Sequence, residues 1–179
     1  MIRITGGTFR SRLLKTPNSD KTKPTMDKVR QGVFSSIGDD IVNSRVLDLF
    51  SGSGSYGFEA LSRGCRDVTF VDKGFEQIKV IKENARALGV NDLVNINCCD
   101  TLTFVDKLNN EKFDFIFVDP PYKLDVYNKI IDIVFEKHLL NEDGALILET
   151  ENVLNIDENL YKIKILKYGL AKIYILRRK

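Results

Sequence analysis

The sequence predicts a doubly wound, Rossmann-like α/β fold: a mostly parallel sheet with helices on both faces. Three observations predict it. Beyond residue 44, short apolar runs alternate with amphipathic helical patterns, as crossover-linked parallel strands require. The first run, Val46-Leu47-Asp48-Leu49-Phe50, opens into the glycine-rich turn Ser51-Gly52-Ser53-Gly54-Ser55-Tyr56-Gly57. A later run, Phe113-Asp114-Phe115-Ile116-Phe117-Val118, is apolar at nearly every position, which suits a central strand covered on both faces.

In chain order, Arg45 to Phe50 reads as a first strand, followed by the glycine turn and a helix through about Arg63. Val68 to Asp72 is a second strand. The next helix sets Phe75, Ile78, Ile81, Ala85 and Leu88 on one face, and Gly89 is placed to stop it. Val94 to Cys98 is a third strand and Thr101 to Leu108 a short helix. After the fourth strand, Phe113 to Val118, come a helix over Val126 to Phe135 and a fifth strand over Ala145 to Glu149. Tyr161 to Tyr168 and Ala171 to Leu176 flank Gly169-Leu170 and predict an antiparallel hairpin.

The amino-terminal part has a different texture. Residues 1–24 are basic and rich in Thr, Ser, Gly and Pro, which predicts a short strand pair or an extended arm. Pro24 then introduces a helix with Met26, Val29, Val33 and Ile37 on one face. The expected organisation is a basic appendage over 1–40 and a single main domain over 41–179. No internal repeat or second core is visible.

Composition narrows the class. The chain has 179 residues, 43% hydrophobic and 29% charged, as a soluble globular domain would. Its apolar runs are strand-length, so no membrane association is expected. The segment Met1 to Gly6 lacks the apolar stretch of a secretory signal. Cys65, Cys98 and Cys99 are too few and too badly spaced for a disulfide framework or a four-ligand zinc site. Adjacent Cys98 and Cys99 read as core packing on a strand. The expectation is a cytoplasmic, reduced protein without a metal, and most simply a monomer.

The net charge of +2 conceals an asymmetry. Residues 1–30 carry eight Lys or Arg against Asp20 and Asp27, a net +6, which leaves −4 for the other 149 residues. A basic arm on a mildly acidic body suits a polyanionic partner; it also suits a plain solvated surface.

Glycine in the turn lets the chain reverse sharply and lets a ligand approach the backbone. The N–H groups opening the next helix are then available to an anion, either a nucleotide phosphate or the carboxylate of S-adenosylmethionine. Gly52, Gly54 and Gly57 match G-x-G-x-x-G, so the loop alone does not separate the two. Asp72 ends the second strand twenty residues after Gly52, where a carboxylate can accept both ribose hydroxyls. Asp48 lies inside the strand ahead of the glycines, where a negative group attracts a sulfonium or ammonium cation. Asp100 is placed either to accept from an adenine amino group or to cap the following helix. Candidate cofactor contacts are thus Asp48, Phe50, Gly52, Ser53, Gly54, Asp72 with Lys73, and Asp100 with Thr101.

The strongest chemical signal is Asp119-Pro120-Pro121-Tyr122, directly after the apolar fourth strand. Ligands bind beyond the carboxyl ends of parallel strands, so Asp119 emerges on the rim that carries the glycine loop. An exocyclic amino group on a base is a poor nucleophile because its lone pair is delocalised into the ring. Two acceptors, the Asp119 carboxylate and the Pro120 carbonyl, can bind both its N–H protons and aim that lone pair at an electrophilic methyl. The prolines fix φ and hold the carbonyl outward, and such fixed acceptors favour the positive charge that develops on nitrogen. Tyr122 offers a stacking surface worth roughly 1–3 kcal/mol, comparable to the few kcal/mol needed to extract a base. A lone tetrapeptide of this kind would more often be a turn closing a buried strand with Tyr122 merely packed, but after an apolar strand and downstream of a glycine loop and two carboxylates the catalytic reading is preferred. His138, the one histidine, sits near a helix end away from this rim.

Over its whole length the chain resembles the bacterial small-subunit (16S) ribosomal RNA guanine-N2 methyltransferases of the RsmD type. The segment Arg3 to Arg12 looks like that family's basic arm, and Lys23-Pro24-Thr25-Met26-Asp27-Lys28-Val29-Arg30 like its R-P-T-x-D-x-V-R segment. Asp48 to Gly54 and Asp119 to Tyr122 look like its cofactor and catalytic motifs. Ser11 stands where the family usually has Gly, and Lys23 where it usually has Arg, which keeps the charge but loses the forked geometry. The resemblance implies a seven-stranded class I methyltransferase fold, S-adenosylmethionine as donor, and 16S rRNA as partner, free or within the 30S subunit or an assembly intermediate. It also implies RNA contacts at Arg10, Arg12, Lys23, Thr25 and Arg30. The competing readings are a DNA adenine or cytosine amino-methyltransferase, a protein glutamine methyltransferase, an NAD-dependent oxidoreductase and a noncatalytic RNA-binding module.

Overall fold

The computed structural model describes residues 1–17, 24–121 and 125–179. Seven strands form the central sheet: β3 (Arg45–Leu49), β4 (Asp67–Asp72), β5 (Val94–Cys98), β6 (Phe113–Val118), β7 (Leu140–Thr150), β8 (Tyr161–Tyr168) and β9 (Ala171–Arg178). Their spatial order is β5-β4-β3-β6-β7-β9-β8. The first five are mutually parallel, and β9 pairs antiparallel with both β7 and β8. A small antiparallel pair, β1 (Ile2–Arg3) and β2 (Leu13–Leu14), precedes them. The helices are α1 (Pro24–Ile37), α2 (Ser55–Ser62), α3 (Phe75–Leu88), α4 (Thr101–Lys107) and α5 (Tyr127–Glu136).

Strand alternation sorts the core into two layers. Phe115, Phe117, Ala145 and Ile147 pack with α1, α2 and α3, whereas Ile116, Val118, Leu146 and Leu148 pack with α4 and α5. Both faces of β6 are therefore covered, as its unbroken apolar run predicts. Gly89, at φ 71, ends α3 as a left-handed cap. The β8–β9 hairpin turns through Gly169-Leu170, with Gly169 at φ 61 and Tyr168 facing Ala171.

Two elements run longer than the pattern implies. Strand β7 begins at Leu140 rather than Ala145, because a register shift between Phe113 and Phe115 absorbs its polar start. Asn141 fixes that irregular start by donating to Asp114 (2.7 Å). Strand β9 continues to Arg178, which pairs with Tyr161. The expected core role holds in part for Cys99, which is half-buried and packs against the α4–α5 side of the core, but needs correction for Cys98, which is exposed at the end of the edge strand β5.

The amino-terminal segment shares the main core. Ile2, Ile4, Leu14, Val29, Val33 and Phe34 are buried in the same cluster as Phe58, Phe70 and Phe117. The boundary near residue 40 is one of charge and pattern; packing runs across it. Backbone and side-chain bonds fix the arm on α2. Thr8 N–H donates to the Ser62 carbonyl (2.7 Å), Phe9 N–H to Ser62 Oγ (2.9 Å), and Thr5 donates through both N–H and Oγ to Glu59 (2.8 Å each).

Gly7 permits this approach. It sits at φ +75, and a Cβ there would lie 1.8 Å from the Ser62 carbonyl oxygen. Gly7→Ala should therefore cost on the order of 2 kcal/mol or more, seen as a lower urea midpoint. An unchanged midpoint would show that the arm is not held against α2.

Candidate active site

Strand order reverses between β3 and β6, and ligands of open α/β sheets bind in the crevice outside the carboxyl ends at such a point. The glycine loop leaves β3 on one side of it and Asp119 leaves β6 on the other. Three loop residues are left-handed: Phe50 (φ 56), Gly52 (φ 53) and Gly54 (φ 77). For Phe50 that backbone is strained, and Ser51 holds it. Ser51 Oγ donates to the Asp48 carbonyl (2.6 Å) and accepts the Val71 N–H (2.9 Å), fastening the loop to β4. Asn84 on α3 supports the other end, donating to the Ser53 carbonyl (3.2 Å).

Asp48 lies beneath the loop, 3% exposed, with one oxygen accepting the Gly57 N–H (2.9 Å). Burial pushes its carboxyl up to about 8, against the pull of the Gly57 bond and with a further push from Asp72. Its charge is thus largely latent at neutral pH, and a cation arriving at the loop favours the ionised form. Asp72 is a fixed acceptor. Its two oxygens take the N–H groups of Gly52 (2.9 Å) and Gly74 (2.8 Å), and each keeps a lone pair for a ribose hydroxyl.

Asp100 caps α4: its Oδ1 accepts from Thr103 N–H (2.9 Å) and Oγ (3.0 Å), and these bonds hold the carboxyl below its usual range. The cap leaves Oδ2 outside that pair of bonds, so capping and adenine recognition are compatible. Thr101, in contrast, is 2% exposed, and its side chain belongs to the interior rather than to a ligand surface. Lys73 is exposed beside Asp72. The set suits S-adenosylmethionine: a glycine loop for the amino-acid tail, a buried acid for cationic character, a fixed carboxylate for the ribose and an acid at the third strand for the adenine.

On the β6 side Asp119 is half-buried, Pro120 buried and Pro121 exposed; Tyr122 lies outside the described residues, as does Lys23. Two aromatic hydroxyls lie close enough to feel the Asp119 charge. Tyr56, at the start of α2, and Tyr127, at the start of α5, are both held protonated, first by burial and then in part by Asp119 and Glu149. Tyr56 stacks on Phe117 (5.0 Å between ring centroids) and donates to Glu149 Oε2 (2.5 Å). Tyr127 Oη donates to the Glu149 carbonyl (2.8 Å). Neither tyrosine nor Glu149 stands out in the sequence reading. The signal was available, because Glu149 follows the apolar run Ala145 to Leu148 as Asp72 follows Val68 to Val71 and Asp119 follows Phe113 to Val118.

The basic candidates separate. Arg10 and Arg12 are exposed on the arm, and Arg12 also donates to the Ala87 carbonyl (3.0 Å). Thr25 lies in the first turn of α1. Arg30 requires correction as an RNA contact, since it is 2% exposed. Its Nη2 donates to the Arg3 carbonyl and to Asp27 (2.7 Å each), and its Nε faces Glu59 at 3.9 Å. Arg30 organises the interior beside Tyr56 and Glu149. His138 is exposed beyond α5, as expected. Among the described residues no group of three or more His, Cys, Asp or Glu is placed to hold a metal ion.

The sequence and the fold have counterparts among known proteins. The ribosomal RNA small subunit methyltransferase D of Haemophilus influenzae is 33% identical over 154 residues, covering 84% of this chain and 79% of that protein. The solved structure of yhhF from Escherichia coli superposes with a TM-score of 0.88 at 25% identity, covering 99% and 98% of the two chains. The model of the family described as conserved hypothetical protein 95 matches residues 2–177. The chain belongs to this RsmD-type family. It has the fold of the S-adenosylmethionine-dependent methyltransferases. The T. thermophilus 16S rRNA N2 G1207 methyltransferase (RsmC), solved with AdoMet and guanosine, shares that fold with a TM-score of 0.75 at 17% identity, over 92% of this chain and 45% of that one. This RsmD-type chain is a methyltransferase.

The raised carboxyl of Asp48 has a stability consequence. A carboxyl raised in the fold contributes stability that is complete below its unfolded value of 3.8 and lost as pH rises to about 8. Asp48→Asn keeps an acceptor for Gly57 without that loss. The variant should match the wild type in thermal midpoint near pH 4, exceed it by several degrees at pH 8, and bind S-adenosylmethionine more weakly by calorimetry. A gap independent of pH would contradict the assignment.

Proposed function

We propose that this enzyme transfers a methyl group from S-adenosylmethionine to the exocyclic N2 of a guanine in 16S ribosomal RNA, acting as a monomer in the cytoplasm. The observation that carries the reading is the meeting of Asp119-Pro120 and the glycine loop across the β3–β6 crevice, in a chain whose relatives include the ribosomal RNA small subunit methyltransferase D proteins. Bound S-adenosylmethionine supplies an electrophilic methyl on sulfonium.

The remaining work falls to the protein. Asp119 accepts one amino proton and the Pro120 carbonyl the other, so the nitrogen lone pair projects out of the base plane toward the cofactor side. As the N–C bond forms, the nitrogen becomes positive, and acceptors already in place stabilise it without reorganisation. The surplus proton leaves to Asp119 or to water. Tyr122, next in the tetrapeptide, supplies the face on which the extracted base stacks. The exposed Arg10 and Arg12 bind backbone phosphate and set the approach of the RNA. Free RNA, the 30S subunit and its precursors all present the same base chemistry.

The discriminating experiment offers tritiated S-adenosylmethionine with undermethylated 16S rRNA, 30S particles and duplex DNA, then maps the labelled nucleotide. Label on guanine N2 in the RNA supports the reading; label on adenine or cytosine of DNA overturns it. Asp119→Ala should lower transfer by at least about a thousandfold while S-adenosylmethionine affinity stays within a few-fold. Loss of cofactor binding instead would reassign Asp119. Replacing Arg10 and Arg12 with Ser should weaken RNA binding and reduce the slope of log K against log salt by about one to two. An unchanged slope would remove the arm from the interface.

A further inference from the structure

The transfer step leaves one rim carboxylate without a role. Glu149 is the last residue but one of β7, and Val118 and Leu148 are the last register partners of β6 and β7. The residues that follow this pair, Asp119 and Glu149, both lie close enough to the Tyr56 hydroxyl for their charges to act on it. Both belong to the sheet face that carries Phe117 and Ile147. We propose that Glu149 accepts the N1–H of the target guanine and so selects guanine over purines with a lone pair at N1; this rests on the guanine reading above.

The chemistry of the base supports the pairing. Guanine carries its N1–H next to its N2 amino group on one edge. A guanine that gives its amino protons to Asp119 and Pro120 presents N1–H to a neighbouring group in the base plane. Strand β7 supplies that neighbour, and it is an acid.

The surroundings of Glu149 prepare it as an acceptor. Tyr56 Oη donates to Oε2, and no other side-chain hydrogen bond reaches Glu149 among the described residues. That leaves Oε1 with acceptor capacity on a half-buried residue at the rim. Burial pushes the carboxyl up, while the Tyr56 bond and the buried Arg30 guanidinium pull it back toward the ionised form. Arg30, expected at the RNA surface, thus lends its charge to the pocket from behind.

Selectivity follows from the same arrangement. Adenine, 2-aminopurine and 2,6-diaminopurine present a lone pair at N1, which would face the carboxylate and leave it unpaired. Sites built to hydrogen-bond a group reject analogues lacking it far more strongly than apolar pockets reject a missing methylene. A purely structural Glu149 would only join α2 to β7 through Tyr56, and removing either partner would then have the same effect.

The test uses the full-length enzyme and ligated 16S rRNA bearing guanine or 2-aminopurine at the mapped position. Comparing the ratio of the two kcat/KM values between variants cancels the intrinsic difference between the bases. Glu149→Gln, whose amide can donate to N1, should lower guanine methylation by about tenfold or more and shift the guanine to 2-aminopurine ratio by at least about a hundredfold. Tyr56→Phe, which keeps the carboxylate, should leave that ratio within a few-fold. If E149Q fails to fold, Glu149→Asp serves, since a withdrawn carboxylate should also lower the ratio. A ratio unchanged in the Glu149 variant, or shifted equally by Y56F, overturns the inference while wild-type N2 methylation upholds the functional reading. A wild type that labels no guanine N2 overturns both.

Discussion

The pairing of β3 with β6 is the constraint on which the site depends. Val46, Leu47, Asp48 and Leu49 lie opposite Phe115, Ile116, Phe117 and Val118, and the loop and the tetrapeptide begin where this ladder stops. A slip of one residue would exchange the faces of every side chain on β6. Phe117 would then leave Tyr56 and Phe34, and Asp119 would turn away from the α2 side, where Asp48 and Glu149 lie. The slip is opposed by burial, because the two faces of β6 are apolar but differently shaped beside the site: Phe115 and Phe117 toward α1 and α2, Ile116 and Val118 toward α5. Catalytic geometry is thus specified by hydrophobic packing some residues away from the chemistry.

That packing surrounds a row of acids, which is costly unless each one is partnered. Successive parallel strands deliver Asp48, Asp72, Asp100, Asp119 and Glu149 to one rim. Backbone N–H groups hold three of them: Gly57 for Asp48, Gly52 and Gly74 for Asp72, Thr103 for Asp100. A phenol holds Glu149. Burial, with a smaller push from Asp72, raises the carboxyl of Asp48. Such a rim is poised for a cationic cofactor and for the amino and imino protons of a base, both of which bring positive character to acids already fixed in place.

Much of this was readable from sequence, and the reasons are local. The third strand, the fourth strand and the first strand of the final hairpin fall where period and composition put them, because one residue pattern determines each. The glycine loop and Asp119 were legible because they depart from the pattern of the strands that precede them. Arg30 was not, since a surface arginine and a buried one look alike until Glu59, Asp27 and the Arg3 carbonyl are seen to converge on it. Cys98 misled for the opposite reason: alternation places it on a strand, but only the sheet order reveals that the strand is an edge. Glu149 and Tyr56 are 93 residues apart, and their contact exists only through the β6–β7 register.

The docking of the amino-terminal arm changes how its positive charge can act. Were the arm a free tether, Arg10 and Arg12 would raise local RNA concentration without fixing orientation. Instead Glu59 and Ser62 clamp residues 5–9 onto α2, whose first turn carries Tyr56 and Gly57. Asn84 extends the frame, binding both backbone groups of Lys15 (2.8 and 3.0 Å) and the Ser53 carbonyl of the cofactor loop. On the proposed function, phosphate contacts made by the arm would be measured from the same rigid elements that carry the glycine loop. Because orientation errors of an ångström can cost about a hundredfold in rate, an arm that binds RNA while tied to the loop scaffold would serve catalysis as well as binding.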